Sequence, residues 1–95
     1  MIKRIVKLTL REDAGATFID IYEGSKEVIK GFDGCLHIEL LRDISQPNIF
    51  FTFSQWENEQ ALDAYRNSDF FKSTWQKTKA LFADQADAWS VKLSG

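Results

Sequence analysis

Asn48-Ile49-Phe50-Phe51-Thr52-Phe53-Ser54-Gln55-Trp56 is the stretch that decides how this chain folds. Read as an extended strand, its side chains alternate between two faces. Phe50, Thr52, Ser54 and Trp56 fall on one, Phe51 and Phe53 on the other. An antiparallel sheet that packs helices on one side normally leaves its other side polar. Phenylalanine on both sides calls for a cover on both.

Working outward, Cys35 to Arg42 reads as the preceding strand, joined through the turn Asp43-Ile44-Ser45-Gln46-Pro47. It is also apolar on both faces, with Leu36, Ile38 and Leu40 set against Cys35, His37, Glu39 and Leu41. Upstream, Asp13 is the expected N-cap of a helix running to about Lys30. Its apolar stripe is Phe18, Ile21, Tyr22, Ser25, Val28 and Ile29, and Gly31-Phe32-Asp33-Gly34 ends it. Residues 2–10 form a first strand with Val6, Leu8 and Leu10 on one face and Ile5, Lys7 and Thr9 on the other. Downstream, Asn58 can cap a short helix that Asn67-Ser68-Asp69 interrupts. A second helical piece then continues to about Phe82, with Phe71, Trp75, Thr78 and Phe82 on one face. Ala83 to Asp87 is a polar loop, and Trp89, Val91 and Leu93 alternate in a last strand.

The order β-α-β-β-α-β predicts an α+β, ferredoxin-like fold: a four-stranded antiparallel sheet with helices on one face, as a single domain over 1–95. No helix is left for the second apolar face, so a homodimer packed sheet to sheet is expected. Pairing Arg42 with Asn48 across the turn sets His37 opposite Phe53 and Glu39 opposite Phe51. Leu36, Ile38, Leu40, Phe50, Thr52, Ser54 and Trp56 then lie under the helices, and His37, Phe51 and Phe53 form the dimer face.

Composition closes off other classes. Twelve basic and fourteen acidic residues leave a net charge of -2, which argues against nucleic acid as a partner. No apolar run approaches the length of a membrane span. One Cys and one His cannot build a soft metal site, so no metal is expected. The lone Cys35 forms no internal disulfide, which points to the reducing cytoplasm. Aromatic residues are in excess, at 14% of the chain, and suggest a small aromatic ligand as the partner.

Phe50-Phe51-Thr52-Phe53-Ser54-Gln55-Trp56-Glu57-Asn58-Glu59-Gln60-Ala61-Leu62 resembles the signature of the antibiotic biosynthesis monooxygenase family. There a strand ending in Trp-Glu-(Ser or Asn) leads into an acidic helix start and an Ala-Leu pair. Gly34 to Asp43 and the Asn67-Ser68-Asp69-Phe70-Phe71 break resemble the family as well. The resemblance implies a dimeric α/β barrel of ferredoxin-like subunits. It also implies a monooxygenase that oxidises quinols, anthrones or other phenolic compounds with dioxygen, needing no cofactor. Another branch degrades haem, and some relatives have no established activity. This chain departs from both catalytic patterns. Tyr65 stands nine residues after Trp56, where many members carry histidine. Trp75 stands ten residues further on, where the haem-degrading branch places its iron ligand, and Trp cannot ligate iron.

The expected substrate-binding residues are Trp56, Tyr65, Phe71, Trp75, Thr52 and Ser54, converging on a pocket between helices and sheet. Trp56 would either line the pocket mouth or seal the sheet against the first helix. A buried Tyr65 or Trp75 needs a partner for its polar hydrogen, from the protein or from a ligand oxygen. No catalytic base is evident. His37 is the chain's one histidine, the residue type most used as a general base, and Tyr65 faces inward, so these two are the candidates. The register turns His37 toward the dimer face, where an interface histidine bonded to Glu39 or Gln55 is the plainer reading. A non-catalytic dimer that binds a hydrophobic metabolite, or serves only a structural role, is the alternative to an enzyme.

Overall fold

In the computed structural model, which describes residues 1–95, the elements are β1 (Ile2–Thr9), α1 (Gly15–Lys30), β2 (Cys35–Arg42), β3 (Ile49–Trp56), α2 (Glu59–Arg66), α3 (Asp69–Lys79) and β4 (Asp87–Val91). The strands form one antiparallel sheet in the order β2-β3-β1-β4. This is the α+β, ferredoxin-like arrangement the sequence predicts. The two central strands, β1 and β3, supply Leu8, Phe50 and Trp56, whose side chains are fully enclosed. Against them α1 lays Phe18, Tyr22 and Ile29, and α2 adds Leu62. Each large apolar side chain so enclosed contributes about 1.5–3 kcal/mol. The core forms two clusters, Leu8, Leu10, Ala14, Phe18 and Phe50 at one end and Ile29, Trp56 and Leu62 at the other.

Helix boundaries follow local chemistry. Asn58 and Ser68 cap α2 and α3, accepting from the Ala61 and Phe71 amides at 2.8 and 3.1 Å. Asp13 does not cap α1. The N-cap is Ala14, without a side-chain bond, and Asp13 instead sits 3.9 Å from Arg11. The second helical piece stops at Lys79, short of Phe82, because Phe82 leaves the helix to bridge Leu10 beside the sheet. Val28 belongs to the predicted stripe but is 47% exposed, at the edge of the face that α1 buries. Gly34 ends the α1–β2 turn with φ +83°. A Cβ there would stand 2.5 Å from the Ala61 Cβ, so both conformation and space require glycine.

The β2–β3 register differs from expectation by two residues. Arg42 pairs with Phe50, Glu39 with Phe53 and His37 with Gln55. The Asp43 carboxylate accepts from the Ser45 and Gln46 amides, folding the connection so that β3 begins at Ile49. A shift of two keeps each side chain on its face. The face assignments therefore stand, with one exception. A bulge between Cys35 and His37 turns Leu36 outward, 51% exposed, and Cys35 packs on the Trp56 cluster in its place.

The other sheet face is uncovered by helices. Pairing sets Glu39, Phe53, Ile5 and Trp89 in one row and Leu41, Phe51, Lys7 and Asp87 in the next. Leu41, Trp89 and Val91 on this face are 46%, 47% and 42% exposed. Leu93 lies beyond the end of β4 rather than within it. No helix is long and apolar enough to cross a membrane.

Candidate functional site

Between the helices and the sheet lies a cavity of about 290 Å³. It exists because small side chains stand where large ones would fill the layer. Ser25 from α1, Thr52 and Ser54 from β3, Thr78 from α3, and Ala86 and Ala88 beside and on β4 all face it. Small-molecule pockets begin at about 300 Å³, and a 150 Å³ apolar cavity already takes a benzene ring. The space suits one or two fused rings.

All six residues expected at a binding pocket line this cavity: Trp56, Tyr65, Phe71, Trp75, Thr52 and Ser54. The aromatic four form a continuous chain. Trp56 stacks on Tyr65 at 5.0 Å, Tyr65 meets Phe71 edge-on at 5.1 Å, and Phe71 stacks on Trp75 at 5.9 Å. Phe82 closes the far end against Trp75. Tyr65 and Phe71 belong to different helices, and the Ser68 cap between α2 and α3 sets the angle that brings their rings together.

The polar groups of this wall differ in availability. Trp56 is 0% exposed and its Nε1 donates to Ser54 Oγ at 3.0 Å, so it is an inner wall and not the pocket mouth. The hydroxyls of Ser25 and Thr78 donate to the carbonyls of Ile21 and Thr74. The Tyr65 hydroxyl and the Trp75 indole N–H have no protein partner. No fully enclosed side-chain polar atom goes unpaired, so the unbonded Tyr65 oxygen is not sealed in the core. Burial raises the Tyr65 pKa above the ordinary tyrosine value, with the nearby Cys35 adding to the shift. Tyr65 therefore stands in the cavity wall with its O–H neutral.

His37 lies on the opposite sheet face, 3.6 Å from Glu39 and with its ring 6.1 Å from that of Phe53. At 3.6 Å the His37–Glu39 contact is an ion-pair distance rather than a hydrogen bond. The sheet separates His37 from the cavity, so of the two catalytic candidates only Tyr65 reaches it. The cavity's two charged residues, Arg4 and Arg66, are among the lining residues outside the sequence-based expectation. Both were legible. Arg4 shares parity with Val6 and Leu8, and Arg66 follows Leu62 by one helical turn.

Haem does not fit these residues. The lining has no His, Cys or Met, and burial holds both of its tyrosines, Tyr65 and Tyr22, in the neutral form that ligates iron poorly. The chain also has no cluster of His, Cys, Asp or Glu able to hold a metal ion.

A ferredoxin-like subunit with an aromatic-walled cavity between helices and sheet defines the class. Within it, the chain belongs to the antibiotic biosynthesis monooxygenase family, whose pattern it matches over residues 1–77. Solved structures share the fold throughout. One described as an antibiotic biosynthesis monooxygenase superposes with a TM-score of 0.93 at 19% identity, covering 100% of both chains. A conserved protein from Methanosarcina mazei Go1 gives 0.93 at 17% identity over 98% of this chain and 92% of its own. A protein from Caulobacter crescentus CB15, described as "a putative antibiotic biosynthesis monooxygenase", gives 0.91 at 17% identity over 99% and 90%. A curated relative from Natronomonas pharaonis, named "Putative heme-binding protein", is 26% identical over 77 residues, 81% of this chain. The chain spans only 13% of that relative's length.

Proposed function

We propose that the cavity binds a flat phenolic compound, a quinol or an anthrone, and that the chain oxygenates it with dioxygen without metal or flavin. The observation that carries this is an aromatic-walled cavity whose wall includes Tyr65, with a hydroxyl that is neutral and unpartnered within the chain. In such a reaction an anthrone methylene loses two hydrogens and gains one oxygen atom, while the second oxygen leaves as water. The substrate supplies every electron. The protein's part is to hold the ring, exclude water and orient the substrate oxygen. Phe71 and Trp75 offer flat surfaces, Trp56 backs Tyr65, and Thr52 and Ser54 supply hydroxyls from the sheet. No carboxylate or imidazole lines the cavity, so the substrate must enter ionised or give its proton to water.

That same absence favours a second reading, a non-catalytic binder of an aromatic metabolite. An oxygen electrode separates the two. Oxygenation requires protein-dependent uptake with a naphthohydroquinone or anthrone, at one dioxygen per substrate, and uptake no faster than the protein-free control would leave binding alone.

We further propose that the chain works as a homodimer joined through the open sheet face, as a dimeric α/β barrel. Ile5, Leu41, Phe51, Phe53 and Trp89 form an apolar surface there that its own helices do not cover. Contiguous surface of this kind marks association sites, and a lasting dimer would bury more than about 1,200 Å² in total.

A further inference from the structure

Arg4 and Arg66 are the only charged residues lining the cavity. They reach it from different directions, Arg4 from the middle of β1 and Arg66 from the last turn of α2. Arg4 occupies a row across the sheet between Ser54 and Ser90, and its Nη1 donates to Ser90 Oγ at 2.9 Å. That bond orients the guanidinium while using one of its five donors. Arg66 makes no side-chain hydrogen bond and sits exposed at the rim. Neither arginine has an ion-pair partner. The chain's ion pairs join Arg11 to Asp13, Lys26 to Glu23 and Lys30 to Glu27, all elsewhere.

Two guanidiniums thus face one apolar cavity with no carboxylate between them. Their mutual repulsion and the burial of Arg4 are both uncompensated within the chain. Burial, with the Arg66 charge adding to it, lowers the Arg4 pKa from the ordinary arginine value. Arginine remains charged regardless. An anion placed between the pair would accept from the planar forks and remove the repulsion.

We infer that the ligand of this cavity is an aromatic anion, a ring system whose carboxylate or ionised phenol oxygen is held by Arg4 and Arg66. The inference rests on the cavity being an aromatic-ligand site, but not on oxygenation taking place there. It narrows the substrate class to rings that carry a negative charge. It also supplies what the lining otherwise lacks, because two guanidiniums favour the ionised form of a phenol without a general base.

Calorimetric titration of the full chain with matched probes tests this. 2-Naphthoate and 2-naphthamide have nearly the same shape and differ in charge, and cyclohexanecarboxylate keeps the charge but loses the aromatic ring. Naphthoate should bind at least about tenfold tighter than naphthamide, and tighter than cyclohexanecarboxylate. Arg66→Gln, at an exposed position where folding is safe, should remove most of the naphthoate preference while leaving naphthamide within about twofold. Added salt should weaken naphthoate alone. Equal affinity for naphthoate and naphthamide would overturn the inference, as would an Arg66→Gln change that weakens both alike. Failure of every probe to bind would overturn it together with the cavity's role. Tight naphthoate binding without any quinol-dependent dioxygen uptake would uphold it while removing oxygenation. 2-Naphthol, titrated below and above its own pKa, distinguishes the two anions. Tighter binding of the ionised form extends the site to phenolates, and unchanged affinity assigns it to carboxylates.

Discussion

Tyr65→Phe separates a ligand-directed hydroxyl from a structural one. The substitution keeps the ring, and with it the stack on Trp56 at 5.0 Å and the edge contacts with Phe32 and Phe71, each at 5.1 Å. It removes one O–H that no protein group accepts. Breaking an internal hydrogen bond would cost about 1 kcal/mol of stability. Here there is none to break, so urea unfolding should change by less than about 0.5 kcal/mol. A bound phenolic ligand would lose one neutral hydrogen bond, about 0.5–1.5 kcal/mol, or roughly a two- to twelvefold rise in Kd. The two assays, denaturant unfolding and titration with a naphthohydroquinone under argon, are run on the same preparations. A stability loss near 1 kcal/mol with unchanged affinity would refute the reasoning, because it would mean that the hydroxyl serves the fold.

Other perturbations test other parts of the molecule. Gly34→Ala should lower stability by more than about 1 kcal/mol in a denaturant titration, since the turn needs positive φ and the added methyl meets Ala61. Ser68→Ala should cost about 1 kcal/mol through loss of the α3 cap, and should also weaken ligand binding because that cap sets Phe71 against Tyr65. Alkaline pH should destabilise the wild type. Burial raises the Tyr65 pKa, so above about pH 10 the unfolded chain loses a proton that the folded chain keeps, and stability present below that pH is lost as pH rises. In Tyr65→Phe the fall should be shallower, leaving the contribution of Tyr22, whose pKa burial also raises. Phe53→Asp on the open sheet face should convert a dimer to a monomer by light scattering at micromolar concentration, and a wild type that is already monomeric would remove the proposed interface.

The sheet was legible because its signal is parity. Phe50, Thr52, Ser54 and Trp56 share a face whatever the pairing, and even the two-residue register error left that face unchanged. The bulge at Cys35 was not legible, since nothing in the local residue pattern distinguishes a strand with one extra residue from a regular one. Nor was the length of the β2–β3 connection, which depends on Asp43 folding back onto two amides. The aromatic wall was legible through helical spacing, Phe71 to Trp75, and through the break that reorients Tyr65. Arg4 and Arg66 were in plain view, but the sequence alone does not separate a cavity-facing arginine from an ordinary solvated one. Only the surrounding small residues, Ala86, Ala88 and Thr78, leave the space into which they face.

The chain carries its own reporters for the central claim, that ligand enters between helices and sheet. Its three tryptophans occupy three environments: Trp75 in the cavity wall with a free indole N–H, Trp56 at the other end of the aromatic chain, stacked on Tyr65 and bonded to Ser54, and Trp89 on the open sheet face. Titrating ¹⁵N-labelled protein with a naphthohydroquinone under argon, and following the three indole N–H resonances, reads all three at once. The Trp75 signal should move most, Trp56 less, and Trp89 not at all. Movement of Trp89 with Trp75 unmoved would place the ligand on the other side of the sheet and contradict the claim.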